Sequence, residues 1–121
     1  MNAIDLARQA YSSVQPALKT ERALEAQILA GITARLDRDA KDFPKAVAAV
    51  HDNRRFWSTL AADVSADANG LPEALRAKIF YLAEFTDLHS NRFLKGCAAL
   101  DPLIAINTAV IRGLNGIAED R

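Results

Sequence analysis

Two arginines stand directly before two aromatic residues in the middle of the sequence, in the tract that runs from Asn53 to Trp57. This combination suits RNA binding, in which guanidinium groups contact phosphates and bases stack on aromatic rings. It also suits a protein interface, because Trp and Arg are enriched among the residues that carry binding energy. A third interpretation is structural, with Trp57 in the core, Arg55 exposed and the stem of Arg54 lying along apolar surface. The tract alone leaves these three interpretations open.

The other reactive side chains lack the spacing of a catalytic or metal site. His51 and His89 are far apart and have no companion at metal-ligand spacing, so we expect His89 to be a packed, hydrogen-bonded residue. Cys97 is the only cysteine, which excludes an internal disulfide and a cysteine-based zinc site and predicts a buried thiol. We therefore predict no enzymatic activity, no catalytic residue, no metal, no cofactor and no small-molecule substrate.

The composition predicts one globular domain over residues 1–121. Half of the 121 residues are hydrophobic, which is enough for a core in a chain of this size. The 15 basic and 15 acidic residues cancel, which argues against nucleic-acid binding that relies on net charge. An uncharged stretch such as Pro102–Ile111 is about half as long as a membrane span, and charged residues interrupt any apolar run at the N-terminus. We therefore expect a cytoplasmic protein that does not enter a membrane.

Apolar residues recur at three- and four-residue spacing along most of the chain, which predicts amphipathic helices. The first helix is predicted over Asn2–Val14, and the second begins after Thr20, a good N-cap residue. Gly31 lies in the middle of the second helix, where glycine costs about 1 kcal/mol relative to alanine. Close packing against a neighbouring helix would explain its presence there.

Prolines, glycines and aspartates set the ends of the remaining three helices. An aspartate or proline is favoured where a helix begins, and a glycine where it ends. The residues that mark these ends are Asp42 with Pro44, Pro72 with Gly96, and Asp101 with Gly113 and Gly116. The last helix is thus predicted over Pro102–Leu114. The whole pattern predicts an all-α domain, a single compact antiparallel bundle of about five helices.

The last helix has two apolar faces. We expect one face to anchor the helix to the domain through Leu103, Ile106, Val110 and Leu114. Ile104 and Ile111 are seven residues apart, so they align on another side, which we predict to face outward or to line a groove. Asn107 lies between the two sets and would orient a partner through its amide.

Two tracts of the chain form an unusual pair. The first is Asn53-Arg-Arg-Phe-Trp-Ser-Thr-Leu60 with the Ala61-Ala-Asp-Val64 segment after it. The second is the closing tract Leu103-Ile104-Ala105-Ile106-Asn107-Thr108, followed by Arg112-Gly113-Leu114. In both tracts the chain resembles the FlaF family of flagellar biosynthesis regulators. The resemblance covers nearly the whole chain.

The resemblance implies a non-enzymatic protein that binds flagellin in the cytoplasm, supports its secretion and couples its synthesis to flagellum assembly. FlbT is a further candidate partner. The alternative is a post-transcriptional regulator of flagellin mRNA translation that acts with or against FlbT through RNA contact, which the neutral charge disfavours. The predicted partner-binding residues are Asn53, Arg54, Arg55, Trp57, Ile104, Asn107 and Ile111.

Overall fold

The computed structural model describes residues 16–66 and 70–118 of the chain. These residues form four helices, α1 (Pro16–Arg38), α2 (Phe43–Ser65), α3 (Glu73–Leu94) and α4 (Asp101–Ala118). Short connections join them, as expected for helices that lie beside their neighbours in sequence. The predicted all-α bundle is confirmed, with four helices instead of about five. The helix predicted over 2–14 lies outside the described residues.

Ion pairs across α1 and α2 show that these helices run antiparallel. Arg22, near the start of α1, pairs with Asp63 near the end of α2. Arg35, near the end of α1, pairs with Asp52 in the first half of α2. The helix α4 packs most extensively against α1, whereas α3 packs chiefly against α2 and only slightly against α4. The bundle is therefore closed between α1 and α4 and more open along α3.

Two helix ends follow the predicted cap chemistry. At the start of α2, the side chain of Asp42 accepts a hydrogen bond from the backbone N–H of Lys45, and Pro44 lies in the first turn. This carboxylate satisfies one of the backbone donors that a helix start leaves without a partner. Beyond the end of α3, Gly96 adopts a φ of 77°, and its N–H donates to the carbonyl of Phe93 at 2.9 Å. Glycine suits this position because it has no Cβ to clash.

Two other predicted helix ends are wrong. The helix α1 begins at Pro16, four residues before the predicted N-cap Thr20, and a proline in the first turn is tolerated because its missing N–H has no helical acceptor there. The helix α4 continues through Gly113 and Gly116 to Ala118. A glycine weakens a helix by about 1 kcal/mol, which packing of the apolar face on the bundle offsets.

Close packing does not explain Gly31. A Cβ atom added at this position would meet none of the described residues within 4 Å, and the same holds for Gly113 and Gly116. The residue is exposed on α1. Close packing against a described neighbour therefore does not account for Gly31.

Buried apolar side chains form two clusters, and α2 contributes to both. The first cluster contains Ile32, Leu36, Ala46, Ala49, Val50, Leu100 and Leu103. The second contains Trp57, Leu60, Val64, Leu71, Ile79 and Ala83. The helix α2 is thus the central element of the core. In the described ranges, no helix combines the length and the apolarity that crossing a membrane requires.

Candidate functional site

A buried chain of hydrogen bonds joins α2 to α4 at the level of the Asn53–Trp57 tract. The indole N–H of Trp57 donates to Oδ1 of Asn107 at 3.0 Å, and the Asn107 amide donates to Oδ1 of Asn53 at 2.8 Å. All three residues are 1% exposed or less. Buried polar groups need such partners, since each unpaired one costs about 1–3 kcal/mol. These three predicted partner-binding residues therefore lie inside the bundle, where they position two helices.

The two arginines of the tract have different surroundings. Arg54 donates from Nη2 and Nε to Oδ1 of Asp87 on α3, at 2.6 and 3.1 Å. Arg55 is exposed and has no ion-pair partner among the described residues. With Trp57 in the core, this arrangement matches the structural interpretation of the tract, except that Arg54 is held by an ion pair.

On α4, the predicted anchors and the predicted outward residues are not fully separated. Leu103 and Leu114 are buried, as expected of anchors. Ile104 is half-buried and packs against the first cluster, and Ile111 is also half-buried. Both isoleucines keep some accessible surface, so their role in partner binding stays a prediction. Asn107, by contrast, is used by Trp57 and Asn53 and does not reach the surface.

A first surface groove lies between α2 and α3. It has a volume of about 390 Å³ and is lined by Arg54, Trp57, Ser58, Ala61, Phe80, Ala83, Glu84, Thr86, Asp87 and Leu88. Phe80 and Leu88 are exposed at its rim, whereas Trp57 and Ala83 are buried. We call this the α2–α3 groove.

Phe80 and Leu88 are exposed because α3 has one main neighbour in the bundle. In the structure α3 packs chiefly on α2, because α4 crosses to α1 instead. Tyr81 and Phe85 are exposed on α3 for the same reason.

A second groove lies on the other side of the central helix, between α1 and α2. It has a volume of about 400 Å³ and is lined by Glu21, Glu25, Ile28, Ile32, Asp52, Arg55, Phe56, Thr59, Leu60 and Asp63. Ile28 is 56% exposed, whereas Ile32 and Leu60 are buried beneath it. We call this the α1–α2 groove. It combines an apolar floor with five charged side chains.

Three carboxyl groups surround a buried arginine at one end of the α1–α2 groove. Arg22, 1% exposed, donates to Glu25 at 2.7 Å and to Asp63 at 3.1 Å, and lies 3.9 Å from Glu21. Burial raises the pKa of Glu25 to about 7, the neighbouring Glu21 and Asp63 act in the same direction, and Arg22 opposes them. We call these three carboxyl groups and Arg22 the acidic cluster.

The acidic cluster also contains the one set of side chains in the described residues with the spacing of metal ligands. Oxygens of Glu21, Glu25 and Asp63 lie within 4.8 Å of one another. The Arg22 guanidinium already donates to two of these carboxyl groups. A metal ion would therefore compete with a buried cation for the same oxygens, and the cluster carries no metal assignment.

Sequence reasoning missed the acidic cluster, although the sequence held a signal for it. Glu21, Glu25, Ile28 and Ile32 follow one another at spacings of four, three and four, so the two carboxylates continue an apolar helical stripe. Ile28 within this stripe and Leu24 beside it are both more than half exposed.

The histidine and cysteine predictions have opposite outcomes. His89 is buried, its Nε2–H donates to the carbonyl of Ala99 at 2.7 Å, and its ring stacks on Phe85, so the packed histidine is confirmed. Cys97 is exposed, so the predicted buried thiol is wrong. Its position explains this result, because it lies in the connection between α3 and α4.

Comparison with known proteins assigns the chain to a family. The family model described as "Flagellar protein FlaF" matches residues 7–114, which include both sequence tracts that carry the resemblance. No curated protein matches the chain. No solved structure matches it either. Since the match spans most of the sequence, the chain belongs to the FlaF family of flagellar proteins.

Proposed function

We propose that this protein binds flagellin in the cytoplasm, supports its secretion and couples its synthesis to flagellum assembly, without catalysing a reaction. Membership of the FlaF family supports a role in flagellar biosynthesis. The mode of action is the capture of an amphipathic helical segment of unassembled flagellin in a surface groove. Such capture buries apolar side chains that would otherwise drive premature association.

The observation that carries this proposal is the pair of grooves along α2, each with exposed apolar side chains at its edge. Ile28 is 56% exposed in one groove and Leu88 is 65% exposed in the other. Helix-in-groove recognition uses apolar side chains at successive helical turns of the ligand, packed between two helices of the receptor. Two antiparallel receptor helices with an apolar floor provide this geometry.

Titration calorimetry with monomeric flagellin tests the proposal. We expect a complex with a dissociation constant in or below the tens of micromolar, a modest affinity of about 6–7 kcal/mol. The heat capacity change of binding should be negative, because the complex buries apolar surface. Preassembled filaments are the control, since their subunits have already packed the segments concerned. A protein that shows no binding to monomers, or equal binding to filaments, would contradict the proposal.

The surroundings of Trp57 and Arg54 disfavour the alternative of direct RNA contact in translational control. Trp57 is buried and hydrogen-bonded, so its ring is not free to stack on a base. Arg54 is already paired with Asp87. Raising the salt concentration separates the two functions, because RNA binding releases counterions at each phosphate contact and weakens steeply. Capture of flagellin by apolar packing with one or two exposed ion pairs should weaken far less. Stable co-purification with FlbT without flagellin would instead favour a structural partnership.

A further inference from the structure

The two grooves differ in how their charges are arranged. In the α2–α3 groove, Arg54 and Asp87 neutralise each other across a 2.6 Å ion pair, which leaves the exposed Glu84. In the α1–α2 groove, charges of opposite sign stand at separate positions. At one end, the acidic cluster presents the exposed Glu21 beside the buried Arg22, which donates to Glu25 and Asp63.

The positive position in the α1–α2 groove is Arg55. The nearby Asp52 is paired with Arg35 at 2.6 Å, so Arg55 remains as a cation without a partner among the described side chains. Arg55 and Asp63 are eight residues apart on α2, which corresponds to about 12 Å along a helix axis. An apolar strip that includes Ile28 and Phe56 lines the same groove.

We propose that the α1–α2 groove, and not the α2–α3 groove, is where flagellin docks, through a helical segment with a Lys or Arg at one end and an Asp or Glu about two turns away. This inference rests on the proposed flagellin binding and adds the surface and the ligand chemistry. The basic residue pairs with Glu21 at the acidic cluster, and the acidic residue pairs with Arg55. Apolar side chains between them pack against Ile28 and Phe56.

Charge complementarity is what selects the occupant. Exposed apolar surface alone binds many amphipathic helices, whereas opposite charges at a fixed separation set the direction and register of one of them. The carboxylate of Glu21 is 56% exposed, so a partner's cation can reach it without dismantling the buried Arg22 contacts. A segment with the reverse charge order can bind only by turning around in the groove.

Matched substitutions in the two grooves test the inference with purified full-length protein and monomeric flagellin. The apolar pair is Ile28→Asp against Leu88→Asp, since both side chains are well exposed and neither change should unfold the protein. The charge pair is Glu21→Lys against Glu84→Lys, each an exposed glutamate that lines one groove. Glu21→Gln only removes the attraction to a basic residue of flagellin, whereas Glu21→Lys also adds repulsion, so the two variants separate these effects. Thermal melts of each variant check that the fold is intact.

We expect Ile28→Asp to weaken flagellin binding at least about tenfold, a loss typical of a central apolar contact. Glu21→Lys should weaken it more than Glu21→Gln, and the difference should shrink in high salt because screening weakens surface charge interactions. Leu88→Asp and Glu84→Lys should change the affinity less than about twofold. That pattern supports the inference.

The other outcomes overturn it, and they are distinguishable from failure of the proposed function. If Leu88→Asp weakens binding as much as Ile28→Asp or more, flagellin does not dock in the α1–α2 groove. The proposed function, flagellin binding by the wild-type protein, would still stand. A lower melting temperature for Ile28→Asp with unchanged affinity would mean that the chain itself fills the groove. If wild-type protein does not bind flagellin, the proposed function fails first, and the inference falls with it.

Discussion

The grooves on either side of α2 are each bridged by an arginine and a carboxylate, but at very different depths. In the α1–α2 groove, Arg22 is 1% exposed and contacts several carboxyl groups. In the α2–α3 groove, Arg54 is 29% exposed, and within the described residues its ion pair is with Asp87. A buried cation cannot lose its partners without a large penalty, whereas a half-exposed one is solvated by water. The first arrangement fixes two helices, and the second contributes little to stability.

The apolar surface is distributed in the opposite way. The exposed face of α3 beside the α2–α3 groove carries Phe80, Tyr81, Phe85 and Leu88, whereas the α1–α2 groove exposes Ile28. Apolar area therefore favours one groove as a contact surface and charge arrangement favours the other. The larger apolar face is therefore the less selective one, because it has few charges that would fix a partner's register.

The largest expected effect comes from the two bridging arginines. Replacing Arg22 with Met should lower the free energy of unfolding at pH 8 by about 3–5 kcal/mol, because it leaves partly buried carboxyl groups without their cation. Replacing Arg54 with Met should lower it by less than about 1 kcal/mol, as for surface ion pairs. Chemical denaturation of both variants measures the difference. Equal losses in the free energy of unfolding would show that the buried Arg22 does not stabilise the fold more than the half-exposed Arg54.

A substitution at the centre of the bundle should affect both sides of α2. Asn107→Leu removes the acceptor of the Trp57 indole N–H and the donor to Asn53. Leaving these buried groups unpaired should cost about 2–4 kcal/mol. Asn115→Leu, at an exposed position on the same helix, is the matched control and should change stability by less than about 0.5 kcal/mol. Similar unfolding midpoints for the two variants would show that the network is dispensable.

The acidic cluster should make stability depend on pH. The pKa of Glu25 is raised from its ordinary value of 4.5 to about 7, so the folded protein binds this proton more tightly than the unfolded chain. The free energy of unfolding should therefore fall as pH rises from about 4.5 to about 7, by no more than about 3 kcal/mol, and level off above that range. Glu25→Gln should remove this slope. An unchanged slope in this variant would assign the dependence to another group.

The pKa of a second carboxyl group, Asp39, is shifted in the opposite direction, and its effect on stability falls in a lower pH range. Hydrogen bonds from Arg38 hold the pKa of Asp39 below its ordinary value of 3.8. Its contribution is therefore present above that value and is lost as pH falls below it. Because the two pH ranges do not overlap, a titration of stability between pH 4.5 and 7 reports on Glu25.

The smallest expected effects are those of glycine substitutions. They change stability without altering either groove, so they serve as controls for the comparison of the two grooves. Gly31→Ala should raise the free energy of unfolding by about 1 kcal/mol, because an added Cβ meets none of the described residues within 4 Å and alanine favours helix. Gly96→Ala should have the opposite sign, since its φ of 77° strains any side chain. Thermal melts measure both changes. Flagellin affinity should stay the same in Gly31→Ala, which lies outside both grooves.

Some of the local chemistry could be predicted from the sequence, although the start of α1 and the end of α4 could not. The Asp42 cap, the Gly96 end of α3 and the anchoring of α4 by Leu103 and Leu114 depend on a few neighbouring residues or on helical spacing. Such features are encoded within one or two turns and need no knowledge of the other helices. The all-α bundle was predictable for the same reason.

The parts that depend on which helices meet were not predictable from the pattern alone. Whether Trp57 lay in the core or at an interface required the position of Asn107, fifty residues away. Leu88 is exposed because α4 packs on α1, and the apolar pattern of α3 does not predict which helix α4 packs against. The role of Glu21 likewise depends on Asp63 from the neighbouring helix.

The most direct test of the account is to map the flagellin contact on the protein itself. Isotope-labelled protein is titrated with unlabelled monomeric flagellin, and the backbone amide signals are followed by NMR. We predict that the signals of Glu21, Ile28 and Arg55 shift or broaden first, while those of Phe80 and Leu88 stay in place. Changes confined to Phe80, Leu88 and their neighbours on α3 would contradict the account and move the binding surface to the α2–α3 groove.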